Sequence, residues 1–269
     1  MPHAGKPRAK RSLGQNFLVD PNIQRKIVEA LGAGPEDEVV EVGPGRGALT
    51  RHLAGKVGRL LLVELDDALA ADLQETYRSR EDVTVVHGDI LRVELAAHVR
   101  DAAGLRVVGN IPYNITTPIL FRLLTRPRPR EIVLLVQEEV ADRMVAAPGT
   151  AAYGALAVGI QTVAAAERLF RVGRNAFRPV PRVDSALVRV RPLRPERLDE
   201  RQEARLRRLV RAAFQWRRKQ LGKILRDHPD LHVPPDLAEA AAERAGAGLH
   251  DRPETLSPGQ FVVLSAELP

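Results

Sequence analysis

The stretch EVVEVGPGRG at 38–47 decides the fold. An apolar run of strand length, Glu38 to Val42, breaks straight into Gly43, Gly45 and Gly47, which permit a tight turn and a close backbone approach to a ligand. Four more β-rich apolar runs follow at helix-length intervals: RLLLVE (59–64), VTVVH (83–87), LRVVG (105–109) and EIVLLVQ (131–137). Strands alternating with helical stretches predict a parallel, doubly wound α/β sheet. AERLFRV (166–172) and SALVRVR (185–191), joined by a proline-rich loop, read as a closing hairpin and bring the expected strands to seven. After Pro195 the pattern turns helical, with a break at Pro234 and Pro235. Two domains are therefore expected, 1–195 with the sheet and a basic N-terminal arm, and a small all-helical domain at 196–269.

The 269 residues are 44% hydrophobic, enough for a substantial core, and contain no cysteine, which excludes disulfides and thiolate metal sites. The basic N-terminus, MPHAGKPRAKRSLGQ, lacks the apolar centre of a secretion signal, and no apolar run approaches the roughly 18 residues of a membrane span. A cytoplasmic protein that binds neither membrane nor metal is expected. The net charge of +7 is unevenly spread: residues 168–226 hold 19 Lys or Arg against 5 Asp or Glu, and residues 228–269 hold 2 against 7. A concentrated basic surface favours a polyanionic partner. Within it, FQWRRKQLGKIL (214–225) has apolar residues at helical spacing with Arg217, Arg218, Lys219 and Lys223 between them, and no acid occurs from Ala204 to Arg226. A solvated helix face normally mixes signs, so these four are candidate contacts to an RNA backbone.

Ligands of a doubly wound sheet bind at the carboxyl ends of its strands. The first end carries the glycines; Ala48 stands where a dinucleotide fingerprint would have its third, which disfavours a nicotinamide cofactor. The second ends in Glu64, 19 residues beyond Gly45, placed to accept from a ribose diol. Asp66 reads as the start of the next helix. The third is followed by Asp89, an acceptor for an adenine amine, and the fourth by Asn110-Ile111-Pro112-Tyr113. That tetrapeptide fits methylation of a nucleobase amine, whose lone pair is delocalised into the ring and must be localised by acceptors. Asn110 offers an amide oxygen, Ile111 a carbonyl directed by Pro112, and Tyr113 a stacking face. Four consecutive strand ends of this kind point to S-adenosylmethionine as cofactor. His87 is a tempting base, but a packing role at its strand end fits it better.

These motifs, with LGQNFLVD (13–20), EVGPGRGALT (41–50), VELD (63–66), HGD (87–89), NIPYNITTPIL (110–120), FRPVPRVDSALVRV (177–190) and FQWRRKQLGKIL (214–225), resemble the bacterial small-subunit rRNA adenine dimethyltransferases, the kasugamycin-sensitivity family, over nearly the whole chain. The resemblance implies a Rossmann-like seven-stranded methyltransferase sheet. It also implies dimethylation of two adjacent adenosines in the 3'-terminal hairpin of 16S rRNA, within an immature 30S subunit. A monomer is expected. Cofactor contacts carry over onto Asn16, Leu18, Gly43, Glu64, Asp89 and Asn110. Gln15 and Asn16 precede an Asp20-Pro21 helix start, so the segment before that cap is expected to fold over the cofactor. Phe177 is expected as a second apolar face for a flipped adenosine, opposite Tyr113. Alternatives are the related resistance methyltransferases acting on 23S rRNA, a non-catalytic nucleic-acid-binding factor on the same fold, and small-molecule methylation, which predicts no basic helical domain.

Overall fold

The computed structural model describes residues 14–268, so the basic arm before Gly14 lies outside the described residues. In chain order the elements are β1 (Phe17–Leu18), α1 (Pro21–Leu31), β2 (Glu38–Val42), α2 (Thr50–Leu53), β3 (Arg59–Glu64), α3 (Asp67–Thr76) and β4 (Val83–His87). They continue with β5 (Arg106–Asn110), α4 (Thr116–Leu123), β6 (Glu131–Gln137), α5 (Glu138–Val145), α6 (Ala155–Gln161), β7 (Ala164–Val172), β8 (Phe177–Arg178) and β9 (Ser185–Pro192). Four helices end the chain: α7 (Glu200–Gln215), α8 (Leu221–Asp227), α9 (Pro235–Arg244) and α10 (Pro258–Glu267).

The main sheet has seven strands in the order β4-β3-β2-β5-β6-β9-β7. Strands β2 to β6 pair in parallel, and β9 runs antiparallel to β6, with Leu135 opposite Leu187. The order turns outward in both directions from β2 and β5, which makes their carboxyl ends the place where a crevice opens. Buried valines and leucines on both faces, Val39, Leu60, Leu62 and Val108 on one and Val40, Leu61 and Val107 on the other, are what a sheet covered by helices on both sides requires. A separate two-stranded piece was not evident in the sequence: β1 pairs antiparallel with β8, Leu18 opposite Phe177.

The chain forms two compact units. One comprises the residues up to Ala141 with Glu167–Pro192, the other Asp142–Ala166 with Leu193–Pro269. The division differs from a single cut after residue 195, because residues 142–166 follow the helical residues. Tyr153, Ala157 and Val158 share a core with Leu206, Leu209, Leu225 and Phe261, and the Tyr153 hydroxyl donates to the Leu256 carbonyl at 2.7 Å. Among the described residues no helix is long and apolar enough to cross a membrane.

The expected continuous basic helix is corrected. Helix α7 starts from Asp199, whose side chain accepts from the Gln202 N–H in a reciprocal cap, and ends at Gln215. Trp216 to Gln220 form a turn before α8, so Arg217, Arg218 and Lys219 lie on that connection and only Lys223 on a helix. Two contacts fix the turn: the Lys219 N–H donates to the Trp216 carbonyl at 2.7 Å, and the Trp216 ring packs against His228 with centroids 5.0 Å apart.

Candidate active site

A cavity of about 470 Å³ opens at the carboxyl ends of β2, β3, β4 and β5, wholly within the sheet unit. The sequence candidates converge on it. Its wall includes Gln15, Asn16 and Leu18 from the segment before α1, Gly43 and Gly45 after β2, and Glu64 at the end of β3. Asp89, Asn110, Ile111, Pro112 and Tyr113 complete the set. Gly43 and Gly45 take φ of +64° and +57°, and a Cβ on Gly45 would sit 3.2 Å from the Phe17 ring; both backbone angle and space demand glycine there. The glycines lead into a turn and then the four-residue α2.

Glu64 is 5% exposed and accepts at both oxygens, from the Gly45 N–H at 2.9 Å and the Asp66 N–H at 2.9 Å. Burial pushes its carboxyl above the ordinary range, and the two N–H groups oppose that shift. Asp66 is the N-cap of α3, accepting from the Ala68 and Leu69 N–H groups, as the sequence indicated. It also receives the Gln15 side chain at 3.3 Å, which ties the segment before α1 to the end of β3. Asp89 Oδ1 accepts from the Leu91 N–H at 3.0 Å, holding the turn after β4 in place.

The Asn110 side chain is fixed by its own amide group: Nδ2 donates to the Asn16 carbonyl at 2.9 Å. Its Oδ1 is thereby reserved as an acceptor. Tyr113 is half-buried, and its hydroxyl shares a 2.6 Å hydrogen bond with Ser185 on β9. Burial raises that hydroxyl's pKa, so the group is held neutral and the ring's direction is set by its far end.

Two expectations change. Phe177 is fully buried, packed in the core with Leu18, Ile27 and Leu187 and outside the cavity wall, so it presents no face to a base in this structure. Its pairing with Leu18 through β8 and β1 takes the ring inward. Arg217 is held at home: Nε meets Glu254 Oε2 at 3.2 Å and Nη2 donates to the Ala151 carbonyl at 3.2 Å. Arg218, Lys219 and Lys223 are not buried. His87 lies outside the cavity wall, with Nε2 3.2 Å from the Leu65 carbonyl, a strand-end role. Among the described residues no group of His, Asp and Glu side chains is arranged to hold a metal ion.

Sequence reasoning overlooked Glu41 and Thr50. Glu41 is 2% exposed in β2 yet lines the cavity, and the Thr50 hydroxyl donates to its Oε2 at 2.6 Å. The available signal is that Glu41 interrupts a strand otherwise apolar on both faces, at a position that shares its face with the buried Val39.

A model of the ribosomal RNA adenine dimethylases matches residues 6–242. The chain belongs to that family. Members are S-adenosylmethionine-dependent rRNA adenine dimethyltransferases, and so is this chain. It is 47% identical to the ribosomal RNA small subunit methyltransferase A of Aromatoleum aromaticum, covering 86% of this chain and 88% of that one. With the protein of the same name from Geobacter metallireducens it shares 42% identity over 96% of this chain and 94% of that one. Among solved structures, the 23S rRNA methyltransferase ErmE superposes with a TM-score of 0.72 at 29% identity, over 94% of this chain and 99% of that one. A dimethyladenosine transferase from Plasmodium falciparum, at 24% identity and a TM-score of 0.79 over 92% and 95% of the two chains, has the same fold.

The dimethylase cavity leaves one titration open to measurement. Burial pushes the Glu41 carboxyl from an ordinary 4.5 to about 7, against the hydrogen bond from Thr50. Over that window the folded chain keeps a proton that the unfolded chain releases, so stability falls as pH rises from about 4.5 to about 7. Glu41→Gln keeps an acceptor for Thr50 and cannot ionise. Its urea midpoint should match wild type near pH 4.5 and exceed it at pH 8, by on the order of 2 to 3 kcal/mol in unfolding free energy. Parallel pH profiles for the two proteins would contradict this role for Glu41.

Proposed function

We propose that the chain transfers two methyl groups to the exocyclic amine of each of two adjacent adenosines in the 3'-terminal hairpin of small-subunit rRNA. The substrate is rRNA within an immature 30S particle in the cytoplasm, and the enzyme acts as a monomer. The observation that carries the chemistry is the Asn110 amide pinned to the Asn16 carbonyl, which leaves Oδ1 as the acceptor beside Ile111, Pro112 and Tyr113. The small-subunit assignment is supported by relatives of that name at 42% and 47% identity, against 29% for the 23S enzyme.

The cofactor fits the residues present. The cavity lies within the size range of small-molecule sites, and Glu64, Asp89 and the glycine loop supply a ribose acceptor, an adenine acceptor and an unobstructed backbone. When bound, S-adenosylmethionine supplies an electrophilic methyl group on a sulfonium sulfur. The protein's part is positional. Asn110 Oδ1 and the Ile111 carbonyl accept from the amine's two hydrogens, which localises its lone pair, while Tyr113 stacks on the base. No strong base is needed before attack, since the proton leaves from an already cationic nitrogen. Incubating small subunits that lack the modification with the protein and cofactor, then mapping rRNA fragments by mass, should give two adjacent dimethyladenosines. Asn110→Ala should lower kcat roughly 100-fold, as removing a preorganised polar group does. Small-subunit rRNA left unmethylated, or Asn110→Ala activity within a few-fold of wild type, would overturn the assignment.

Arg218, Lys219 and Lys223 are proposed to bind phosphate, with Arg217 bracing the turn that carries the first two through Glu254. Removing any one of these cations should lower the salt dependence of RNA binding by about 0.7 in log–log slope, and removing all three by about 2. Substituting the three by Gln and measuring particle affinity from low to moderate salt checks this; an unchanged slope would make them solvated surface only.

A further inference from the structure

The charge around the cavity singles out Arg46. Three acidic side chains stand in its wall, Glu41, Glu64 and Asp89, together with two cations, Arg46 and Arg51. The amino-acid end of S-adenosylmethionine carries a carboxylate of its own, which ionised acids repel and a guanidinium can meet with paired N–H donors. The two arginines are not equivalent. Arg51 is exposed on α2, and its Nε donates to the Gly47 carbonyl at 3.0 Å. Arg46 is half-buried on the glycine loop, with its guanidinium carbon 4.4 Å from the centre of the Phe17 ring. That ring is itself 8% exposed and lies against Gly45, where a Cβ would stand 3.2 Å away. A cation stacked on an aromatic face that cannot shift toward the loop is held in place before any ligand arrives.

We propose that Arg46 recognises the cofactor's carboxylate, and that Phe17 acts as a positioning residue by stacking on the guanidinium. The assignment rests on S-adenosylmethionine as the cofactor. It gives the LGQNF segment a reason to carry an aromatic residue at 17: β1 fixes Phe17 by pairing with β8, and the ring then sets where the loop's cation points.

The test is calorimetry on the full chain with two ligands, S-adenosylhomocysteine and its decarboxylated form, S-adenosyl-3-thiopropylamine. They share the nucleoside, thioether and amine and differ only in the carboxylate. Arg46→Gln should bind S-adenosylhomocysteine roughly 10- to 100-fold more weakly, the range for removing a charge-assisted hydrogen bond, and the decarboxylated ligand within about twofold of wild type. Phe17→Leu, which keeps an apolar side chain over Gly45, should shift the preference the same way by a smaller factor. Equal weakening toward both ligands would make Arg46 a structural part of the loop and overturn the proposal. So would unchanged affinities, or a selective loss in Arg51→Gln instead. If wild type binds neither ligand, the cofactor itself is wrong and the assignment falls with it.

Discussion

The Glu64 carboxylate is the constraint on which the site depends. It ends β3, is nearly buried, and accepts from the Gly45 N–H at one oxygen and the Asp66 N–H at the other. One side chain thereby ties the loop after β2 to the turn after β3. Asp66 extends the connection, capping α3 with one oxygen and receiving Gln15 with the other. Three segments far apart in sequence, at Gln15, at Gly45 and from Glu64 to Asp66, are held by a short chain of hydrogen bonds, and the cavity opens against all three. Burying a carboxylate costs several kcal/mol, and hydrogen bonds to a charged group return about 1.5 to 3 kcal/mol each. The two bonds offset part of the burial and not all of it, and the group's remaining lone pairs are poised for donors brought by a ligand.

Asn110 obeys the same logic at the next strand end. Its Nδ2 is committed to the Asn16 carbonyl, and Tyr113 is committed through its hydroxyl to Ser185. Each uses its outer polar atom for anchoring and keeps another surface for chemistry. A reaction that needs only correct placement of an amine is well served by groups whose freedom has been removed in advance. The segment before α1 links the two halves of the site, since Asn16 holds Asn110 while Gln15 holds Asp66.

The strands were legible in the sequence because β2 to β6 are short, buried and punctuated by helix-length gaps, and their ends followed from the parallel order. Glu64, Asp89 and Asn110 were readable because each sits where an apolar run stops. Phe177 was misplaced because a two-residue pairing, β1 with β8, leaves no periodic trace, and that pairing turns the ring into the core. The break between α7 and α8 escaped for a related reason. Leu221, Ile224 and Leu225 continue a helical spacing across a turn that Trp216 and His228 stabilise, and no glycine or proline marks it. Residues 142–166 look like part of the α/β alternation, and only tertiary packing of Tyr153 and its neighbours gathers them with the helical unit.

Hydrogen exchange of the full chain, with and without S-adenosylhomocysteine, tests most directly whether these strand ends form one cofactor site. A single shared site predicts ligand-dependent protection at 14–18, 43–47, 64–66, 89–91 and 110–113 together, with the amides of Gly45 and Asp66 among the most affected. The helical unit should be unchanged. Protection limited to one of these segments, or centred in the helical unit, would contradict it.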